Sequence, residues 1–264
     1  MARRPLEREP VYLDGGRRTT QLMRDSLGAT SPRVNSAPSL RRVLTTLGRH
    51  YGKPQRPISR DPFKLILWEQ VAYLVPDAQR RRAFAALRSQ VGLTPRAIVA
   101  ASDTKLRAIT RLGGPIAVAV RATRLRQSAE LAIGRWDGDL RTALRLSIPK
   151  ARKALAEFAM IGEPGADKIL VLAKRARLLP LDSNGLRVLC RLGLTTEEKD
   201  YRTTYRRAQE LLASALPKDS GALIAAYSLL RLHGQKLCRR SEPQCNRCPL
   251  CKDCVFGSQT GCGA

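Results

Sequence analysis

The chain has 264 residues, 43% of them hydrophobic, which is enough to bury one large core or two modest ones. Its formal net charge of +26 indicates a polyanionic partner, either nucleic acid or an anionic membrane surface. No apolar run is long enough to span a bilayer, and the N-terminal MARRPLEREP has no hydrophobic stretch after its arginines, which excludes an integral membrane protein and a signal peptide. We therefore expect a soluble cytoplasmic protein without a membrane partner, whose cysteines are reduced and free to bind metal.

Residues 1–37 combine prolines and glycines with little apolar periodicity, and they predict a mobile basic arm. The positive charge is not confined to this arm. Residues 1–60 carry 13 Lys and Arg against 4 Asp and Glu, a net of +9, which leaves +17 for the other 204 residues. The basic surface is therefore spread through the body of the protein.

The body of the chain is predicted to be a succession of helices. Ser39 is positioned to cap a first helix that ends at Gly52, and Asp61 with Pro62 forms the cap and the first position of the next helix. Beyond Asp61, apolar residues recur at helical spacing in segments of 8–20 residues, and strand-like alternation is nowhere sustained. The sequence predicts an all-α fold.

Glu69 is the one acidic residue in the apolar helical segment FKLILWEQVAYLV. A carboxylate in such surroundings tends to have a raised pKa and can then act as a general acid. The alternative is an exposed Glu on the outer face of the helix.

Residues 148–177 predict two amphipathic helices around the tight turn IGEPG, which contains Gly162 and Gly165. Glycines there would allow a positive φ and a close approach of another backbone. The second helix is expected to begin at about Ala166, so that its free N–H groups can bind a phosphate, with Lys168 in its first turn. Such a helix-hairpin-helix grips one DNA strand regardless of base sequence, although a plain turn between helices has the same pattern.

Asp182 follows the hairpin and heads the segment LDSNGLRVL. An Asp at the start of a helix is a natural N-cap, so this residue is either only a cap or a cap with a second role.

Near the C-terminus, four cysteines have the spacing C-x6-C-x2-C-x5-C: Cys238, Cys245, Cys248 and Cys254. This continuous wrap suits a [4Fe–4S] cluster better than a single tetrahedral zinc ion, for which two knuckles usually pair across a longer gap. Cys251 provides an alternative fourth ligand in place of Cys238. A four-cysteine zinc site or a disulfide pair are the other interpretations.

These segments together resemble the helix-hairpin-helix DNA glycosylases of the endonuclease III superfamily. The order matches: a hairpin with two glycines, an Asp 17 residues after the second glycine, and then the cysteine loop. The stretch LLRLHGQKLCRRSEPQCNRCPLCKDC closely resembles the family's cluster loop, LDSNGLRVLCRLG is similar to the segment with its essential Asp, and DPFKLILWEQVAYL resembles its first core helix. The resemblance covers about residues 38–256.

The resemblance implies two helical domains that flank a DNA-binding cleft. A six-helix barrel at residues 61–178 would end in the helix-hairpin-helix, and residues 38–60 with 179–264 would form the iron–sulfur cluster domain. The family's enzymes flip a damaged or mismatched base out of duplex DNA and cut its N-glycosidic bond, and Asp182 falls at the position that stabilises the oxocarbenium-like sugar. The resemblance thus implies a [4Fe–4S] cofactor and a monomer that binds double-stranded DNA with a lesion or mismatch, on the nucleoid if the source is bacterial.

Departures from the family pattern indicate the branch. Bifunctional lyases carry a Lys two residues after the second glycine, where this chain has Asp167. Lys168 is rotated from that position by about 100°, so we expect it to point away from the site. In the branch specific for mismatched adenine this Lys is absent, and a Glu on the first core helix, the position of Glu69, protonates the leaving base. We therefore expect a monofunctional glycosylase with Glu69 as acid and Asp182 as stabiliser.

The match to this branch is incomplete. Ala72, Tyr73 and Leu74 replace the glutamines that the branch carries after the Glu, and the chain stops ten residues after Cys254, without the domain that recognises oxidised guanine. Adenine opposite oxidised guanine is therefore not the expected substrate. The alternatives are a bifunctional glycosylase and lyase that uses Lys168, or a non-catalytic DNA-binding relative.

The resemblance also implies a set of DNA contacts. Leu74 would fill the hole left by the flipped base, the hairpin would hold one strand, and the two arginines of the cluster loop would either meet phosphates or form a solvated basic face. The predicted contacts are Leu74, Gly162, Gly165, Ala166, Lys168, Arg239 and Arg240.

Overall fold

Helices build the fold throughout residues 37–260, which are the residues that the computed structural model describes, and no strand occurs among them. The all-α prediction is confirmed. The arm predicted for residues 1–37 lies outside the described residues, apart from Ala37. No helix between residues 37 and 260 is long and apolar enough to cross a membrane.

Twelve α-helices occur in this part of the chain, with short 3-10 turns between some of them. They are α1 Leu40–Tyr51, α2 Pro62–Gln70, α3 Asp77–Gln90, α4 Pro95–Ala100, α5 Asp103–Leu112, α6 Val118–Trp136, α7 Ile148–Ala156, α8 Glu163–Leu172, α9 Ser183–Arg191, α10 Tyr201–Leu212, α11 Ser220–Lys236 and α12 Val255–Gln259. The 3-10 turns are Leu140–Arg145, Ala213–Ala215, Cys245–Arg247 and Cys251–Asp253.

The predicted caps of the first two helices are present. Ser39 Oγ accepts the N–H of Arg42 at 3.3 Å, and Asp61 Oδ1 accepts the N–H of Lys64 at 3.1 Å. Each cap satisfies a backbone donor that has no partner within its helix. The start of both helices is therefore fixed by local sequence.

The helices pack in two groups. In the first, α2, α4 and α5 contact α6, α3 contacts α5, and α7 pairs with α8. In the second, α9 lies along α11. Two further helices pack on this pair: α1 contacts α11, and α10 contacts α9. The early helix α1 thus packs with the C-terminal part of the chain, while the domain limits themselves stay a prediction.

The end of α2 differs from the sequence prediction, in which the helical segment continued to Val75. The helix stops at Gln70, and the following loop places Leu74 at φ 50° with 74% of its surface exposed. Arg121 holds this loop, since its Nη1 donates to the carbonyl of Val71 at 2.7 Å and its Nε donates to the carbonyl of Ile116 at 3.0 Å. The loop after α2 and the loop before α6 are therefore joined by one buried guanidinium.

The lack of a side chain at Gly113 allows these two loops to come close together. A Cβ built on Gly113 would lie 2.1 Å from the carbonyl oxygen of Val71, a contact that no side chain can make. The N–H of Tyr73 donates to the carbonyl of Gly113 at 3.2 Å, so the two loops touch through their backbones. This close approach requires glycine.

Replacing the buried Arg121 tests its role. Arg121→Met should lower the free energy of unfolding by about 2–4 kcal/mol, because several buried carbonyls would lose their donor. Urea denaturation measures this loss, and Arg82→Met on the exposed face of α3 is the control. Equal losses in the two variants would contradict the account.

Candidate active site

Lys168 and Glu69 form an ion pair between helices α8 and α2. Lys168 Nζ lies 2.8 Å from Glu69 Oε1, and the side chains are 13% and 26% exposed, respectively. The ammonium also lies 6.0 Å from the centre of the Tyr227 ring of α11. Three helices distant in sequence therefore meet around this pair.

Asp182 is the N-cap of α9. Its Oδ1 accepts the N–H groups of Asn184 at 3.0 Å and Gly185 at 2.9 Å, as the sequence predicted for a cap. Its Oδ2 lies 2.9 Å from Nε of Arg231 on α11. The carboxylate thus has a backbone partner on one oxygen and a cation on the other.

The same site contains residues that sequence reasoning missed. Arg231 also binds Asp77 at the start of α3, through Nη1 to Oδ2 and through Nη2 to Oδ1 at 2.7 Å. Tyr227 and Arg231 are four residues apart, so both lie on one face of α11. A tyrosine and an arginine at this spacing in the apolar segment SGALIAAYSLLRLHG were the signal that could have identified them.

Electrostatic effects show that these groups share one environment. Burial raises the pKa of the Tyr227 hydroxyl, and the charges of Lys168, Asp182, Arg231 and Glu69 all act on it. The site therefore combines carboxylates and cations in a partly buried cluster at which α2, α3, α8, α9 and α11 meet.

The expectation of a raised pKa at Glu69 is wrong. Burial raises the pKa of this carboxyl, but the positive charges of Lys168, Arg80 and Arg231 outweigh burial and hold the pKa below its ordinary value. For Lys168, burial lowers the pKa and the charge of Glu69 more than compensates, so the pKa is raised. In the free protein the pair is a carboxylate and an ammonium.

The expectation that Lys168 points away from the site is also wrong. The side chain of the preceding residue, Asp167, points into the core instead, and Asp167 is only 2% exposed. Its carboxylate accepts Arg152 Nε at 2.6 Å and the hydroxyl of Tyr205 at 2.9 Å. Lys168 is therefore the residue of this turn whose side chain reaches Glu69.

The hairpin differs from its prediction in a second way. Helix α8 begins at Glu163, three residues before the predicted start, and neither Gly162 nor Gly165 has a positive φ. The N–H of Ala166 donates to the carbonyl of Gly162 at 2.9 Å, so it is not free to bind a phosphate. The N–H groups ahead of the first intrahelical bond are those of Glu163 and Gly165, since Pro164 has none.

The other predicted DNA contacts lie on the surface to different degrees. Leu74 is the most exposed of the large apolar side chains in residues 37–260. Arg240 is exposed, whereas the side chain of Arg239 folds back on its loop and donates from Nη2 to the carbonyl of Glu242 at 3.2 Å. The DNA contacts of all three stay predictions.

The cysteine loop surrounds a pocket that is partly open to solvent. Its lining includes all four predicted ligands, Cys238, Cys245, Cys248 and Cys254. Cys251 does not line it and is bonded in a disulfide, so the expectation that the cysteines are reduced is wrong for this residue. Within residues 37–260, no three His, Cys, Asp or Glu side chains are arranged to hold a single metal ion.

Polar groups surround the cysteine sulfurs. Arg191 Nη1 donates to Cys238 Sγ at 3.4 Å, and His233 Nε2 lies 3.5 Å from Cys248 Sγ. His233 is fully buried, its Nδ1 lies 3.1 Å from the hydroxyl of Tyr51, and burial lowers its pKa to about 4, so its ring is neutral. Burial raises the pKa of Cys248 to about 11, so binding a metal would have to displace its proton.

A chain of hydrogen bonds links the cysteine loop to Asp182. Arg187 Nε donates to the carbonyl of Cys238 at 3.0 Å, and its Nη2 donates to Asn184 Oδ1 at 2.9 Å. The N–H of Asn184 in turn binds Asp182. Gly234 allows this contact between α9 and α11, because a Cβ at that position would lie 2.6 Å from the carbonyl oxygen of Asn184.

Comparisons with known proteins return DNA glycosylases. The chain is 27% identical over 118 residues to endonuclease III of Sulfolobus acidocaldarius, covering 45% of this chain and 50% of the relative. It is 30% identical over 139 residues to a thymine/uracil-DNA glycosylase of Pyrobaculum aerophilum, covering 52% and 56%, and 26% identical over 225 residues to a thymine-DNA glycosylase of Aeropyrum pernix, covering 83% and 94%. The matches thus span about half the length of the first two relatives. No family model matches.

The fold is that of solved glycosylases. An endonuclease III trapped as a covalent intermediate with DNA superposes with a TM-score of 0.66 at 20% identity, covering 84% of this chain and 97% of that one. A thermostable thymine-DNA glycosylase superposes with a TM-score of 0.64 at 15% identity, covering 83% and 97%. At these identities the likeness establishes the fold.

The ion pair of the site can be tested by stability. Glu69→Gln should lower the free energy of unfolding by about 1–3 kcal/mol, because it leaves the Lys168 ammonium without its counter-charge in a mostly buried position. Since the pKa of Glu69 is lowered and that of Lys168 is raised, this loss should be constant between about pH 5 and pH 10. It should shrink below that range, as Glu69 of the wild type is protonated, and above it, as Lys168 loses its proton.

Urea denaturation at a series of pH values provides this measurement. Glu130→Gln, on the exposed face of α6, is the control and should change stability by less than about 0.5 kcal/mol. A Glu69→Gln variant as stable as wild type at pH 7 would show that the pair contributes nothing.

Proposed function

We propose that the chain is a helix-hairpin-helix DNA glycosylase of the endonuclease III superfamily, which releases a damaged or mismatched base from double-stranded DNA by cutting the N-glycosidic bond. The observation that supports this most strongly is the ion pair of Lys168 with Glu69 in a partly buried cluster, close enough to Asp182 for its charge to act on Lys168. The fold alone would not carry the proposal, because function is a property of the site.

We assign to Asp182 the stabilisation of the sugar cation. Cleavage of the bond leaves positive charge on the sugar ring, and a fixed carboxylate lowers the energy of that transition state. The backbone of α9 already holds Asp182 in place, so little reorganisation is needed when charge develops. Its position at the start of a helix serves both the cap and the chemistry.

Lys168 is assigned to the leaving base. An ammonium held by Glu69 can donate a hydrogen bond to a carbonyl oxygen of a departing pyrimidine, which carries negative charge as it leaves. This replaces the expectation that Glu69 itself delivers a proton, since Glu69 is ionised in the free protein. Glu69 then acts by orienting Lys168.

A second function is favoured by the direction of Lys168. Its amine lies close enough to Asp182 to be affected by that charge. After its proton passes to the departing base, the amine could attack the sugar C1′ as the N-glycosidic bond breaks, and opening of the sugar ring at O4′ would then give a Schiff base, as in a glycosylase with lyase activity. The two functions differ in one product, a covalent link between protein and DNA.

The proposed substrate is a thymine or uracil in duplex DNA. Two of the relatives, from P. aerophilum and A. pernix, are named as thymine/uracil- and thymine-DNA glycosylases. A pyrimidine also suits the carbonyl contact assigned to Lys168. The basic residues of the protein body and the backbone N–H groups at the N-terminus of α8 would bind the phosphates of the same duplex.

We also propose that the four cysteines of the pocket hold a [4Fe–4S] cluster. Their spacing and their common pocket support it, and in a cubane each thiolate binds a different iron, so the sulfurs need not converge on one point as they would around zinc. The cluster would supply folding free energy and shape the loop from Arg239 to Gln244.

Base release from defined duplexes tests the function. The panel carries uracil, thymine opposite guanine, adenine opposite oxidised guanine, oxidised pyrimidines and alkylated purines, each with and without alkali to cut abasic sites. We expect release of thymine or uracil, and a loss of at least about 100-fold in single-turnover rate for Asp182→Asn, because that variant removes the negative charge. Tight DNA binding without release from any duplex would contradict the proposal.

Borohydride reduction separates the two functions in the same reactions. A hydrolytic enzyme gives strand breaks only after alkali and no covalent product. A trapped adduct that disappears in Lys168→Met would establish the lyase and would show that Lys168 is the nucleophile.

The cluster ligands can be tested by iron content. Cys238→Ser should lose most of its iron and sulfide and unfold at a lower temperature, whereas Cys251→Ser should keep about four irons per chain, because Cys251 lies outside the pocket. Elemental analysis and visible absorbance measure both. Loss of iron in Cys251→Ser with full retention in Cys238→Ser would assign the fourth ligand to Cys251.

A further inference from the structure

Arg231 is the cation that contacts Asp182. Among residues 37–260 it is the one Lys, Arg or His side chain within salt-bridge distance of that carboxylate, with Nε 2.9 Å from Oδ2. The cap bonds of Oδ1 fix the position of one oxygen, and Oδ2 also accepts a long hydrogen bond of 3.4 Å from Nδ2 of Asn184. The ion pair with Arg231 is the shorter contact of Oδ2, and it restrains the rotation of the carboxylate plane.

Asp77 fixes Arg231 in turn. Both terminal nitrogens of the guanidinium bind the two oxygens of Asp77, a bidentate arrangement that sets the plane of the guanidinium as well as its distance. Nε, which Asp77 does not use, is the nitrogen that forms the ion pair with Asp182. An ammonium could not reproduce the bidentate contact with Asp77, because only the guanidinium has donors in a rigid fork.

The three residues are distant in sequence, since Asp182 precedes Arg231 by 49 positions and Asp77 precedes it by 154. Asp77 opens α3, directly after the loop that exposes Leu74, whereas Arg231 is on α11 and Asp182 opens α9. Their side chains are between 21% and 37% exposed, so the contacts are partly open to solvent and do not lie in the core.

We propose that Arg231 is a positioning residue for Asp182, and that Asp77 holds Arg231 in the orientation this requires. The inference rests on the proposed function and deepens it. Arg231 sets the rotation of the Asp182 carboxylate, so that the charge is aimed at the sugar before DNA binds. Loss of this contact should reduce the chemical step more than the affinity for DNA.

The test uses single-turnover base release at saturating enzyme, together with the dissociation constant for the same duplex. Arg231→Gln should slow release on the order of 10-fold to 100-fold, the loss expected when a reacting group is misplaced by about 1 Å. The dissociation constant should change less than about threefold. Arg207→Gln on α10, whose arginine pairs with Glu210 at 3.6 Å on the surface, is the matched control and should match wild type.

A double-mutant cycle distinguishes positioning from a separate contribution. Because Arg231 acts through Asp182, adding Arg231→Gln to Asp182→Asn should slow release no further. Asp77→Asn should reproduce part of the loss seen in Arg231→Gln, and Arg231→Lys should recover part of the rate because it keeps the charge. Thermal unfolding of each variant shows whether it is folded, and if Arg231→Gln is not, Asp77→Asn and Arg231→Lys carry the test.

The outcomes separate the inference from the function. Independent, multiplicative losses from Arg231→Gln and Asp182→Asn would overturn the positioning role, as would wild-type release rates in the folded Arg231 and Asp77 variants. Absence of base release by the wild-type protein from every duplex would instead overturn the proposed function.

Discussion

The bond between the Asp182 carboxylate and the first turn of α9 is the interaction on which the site depends. The opening N–H groups of a helix need an acceptor, and Oδ1 supplies it to Asn184 and Gly185. The position of the carboxylate is therefore set by backbone geometry. Through Asn184 and Arg187 the same carboxylate is connected to the carbonyl of Cys238, so the cysteine loop and the site form one hydrogen-bonded unit.

Positive and negative side chains alternate around the site, and their pairing stabilises it in the absence of DNA. Glu69 faces Lys168, and Arg231 lies between Asp77 and Asp182, so each of these charges has an opposite neighbour. A partly buried ion without such a neighbour would cost several kcal/mol of folding free energy. The arrangement means that the groups are oriented before a substrate arrives, which is the condition under which electrostatic stabilisation of a transition state is most effective.

Local signals in the sequence predicted the features that depend on neighbouring residues. The caps at Asp61 and Asp182 and the all-α class followed from short patterns, and the structure has them. The direction of Lys168 was predicted wrongly, because a count of residues from the hairpin glycine takes no account of Glu69, its ion-pair partner on a distant helix. The pair of Asp77 and Arg231 lies 154 residues apart, and no local pattern encodes such a contact. The prediction of a raised pKa at Glu69 was wrong because the cations that lower the pKa come from other helices, which the local sequence does not reveal.

A structure of the protein bound to duplex DNA with a cationic pyrrolidine in place of the target sugar would test the central claim most directly. The pyrrolidine nitrogen imitates the charge that develops during cleavage. We expect this nitrogen within about 3–3.5 Å of an Asp182 oxygen, the separation of groups that react, with Arg231 still bound to the carboxylate. A sugar bound elsewhere, with Asp182 serving only as the cap of α9, would contradict the account.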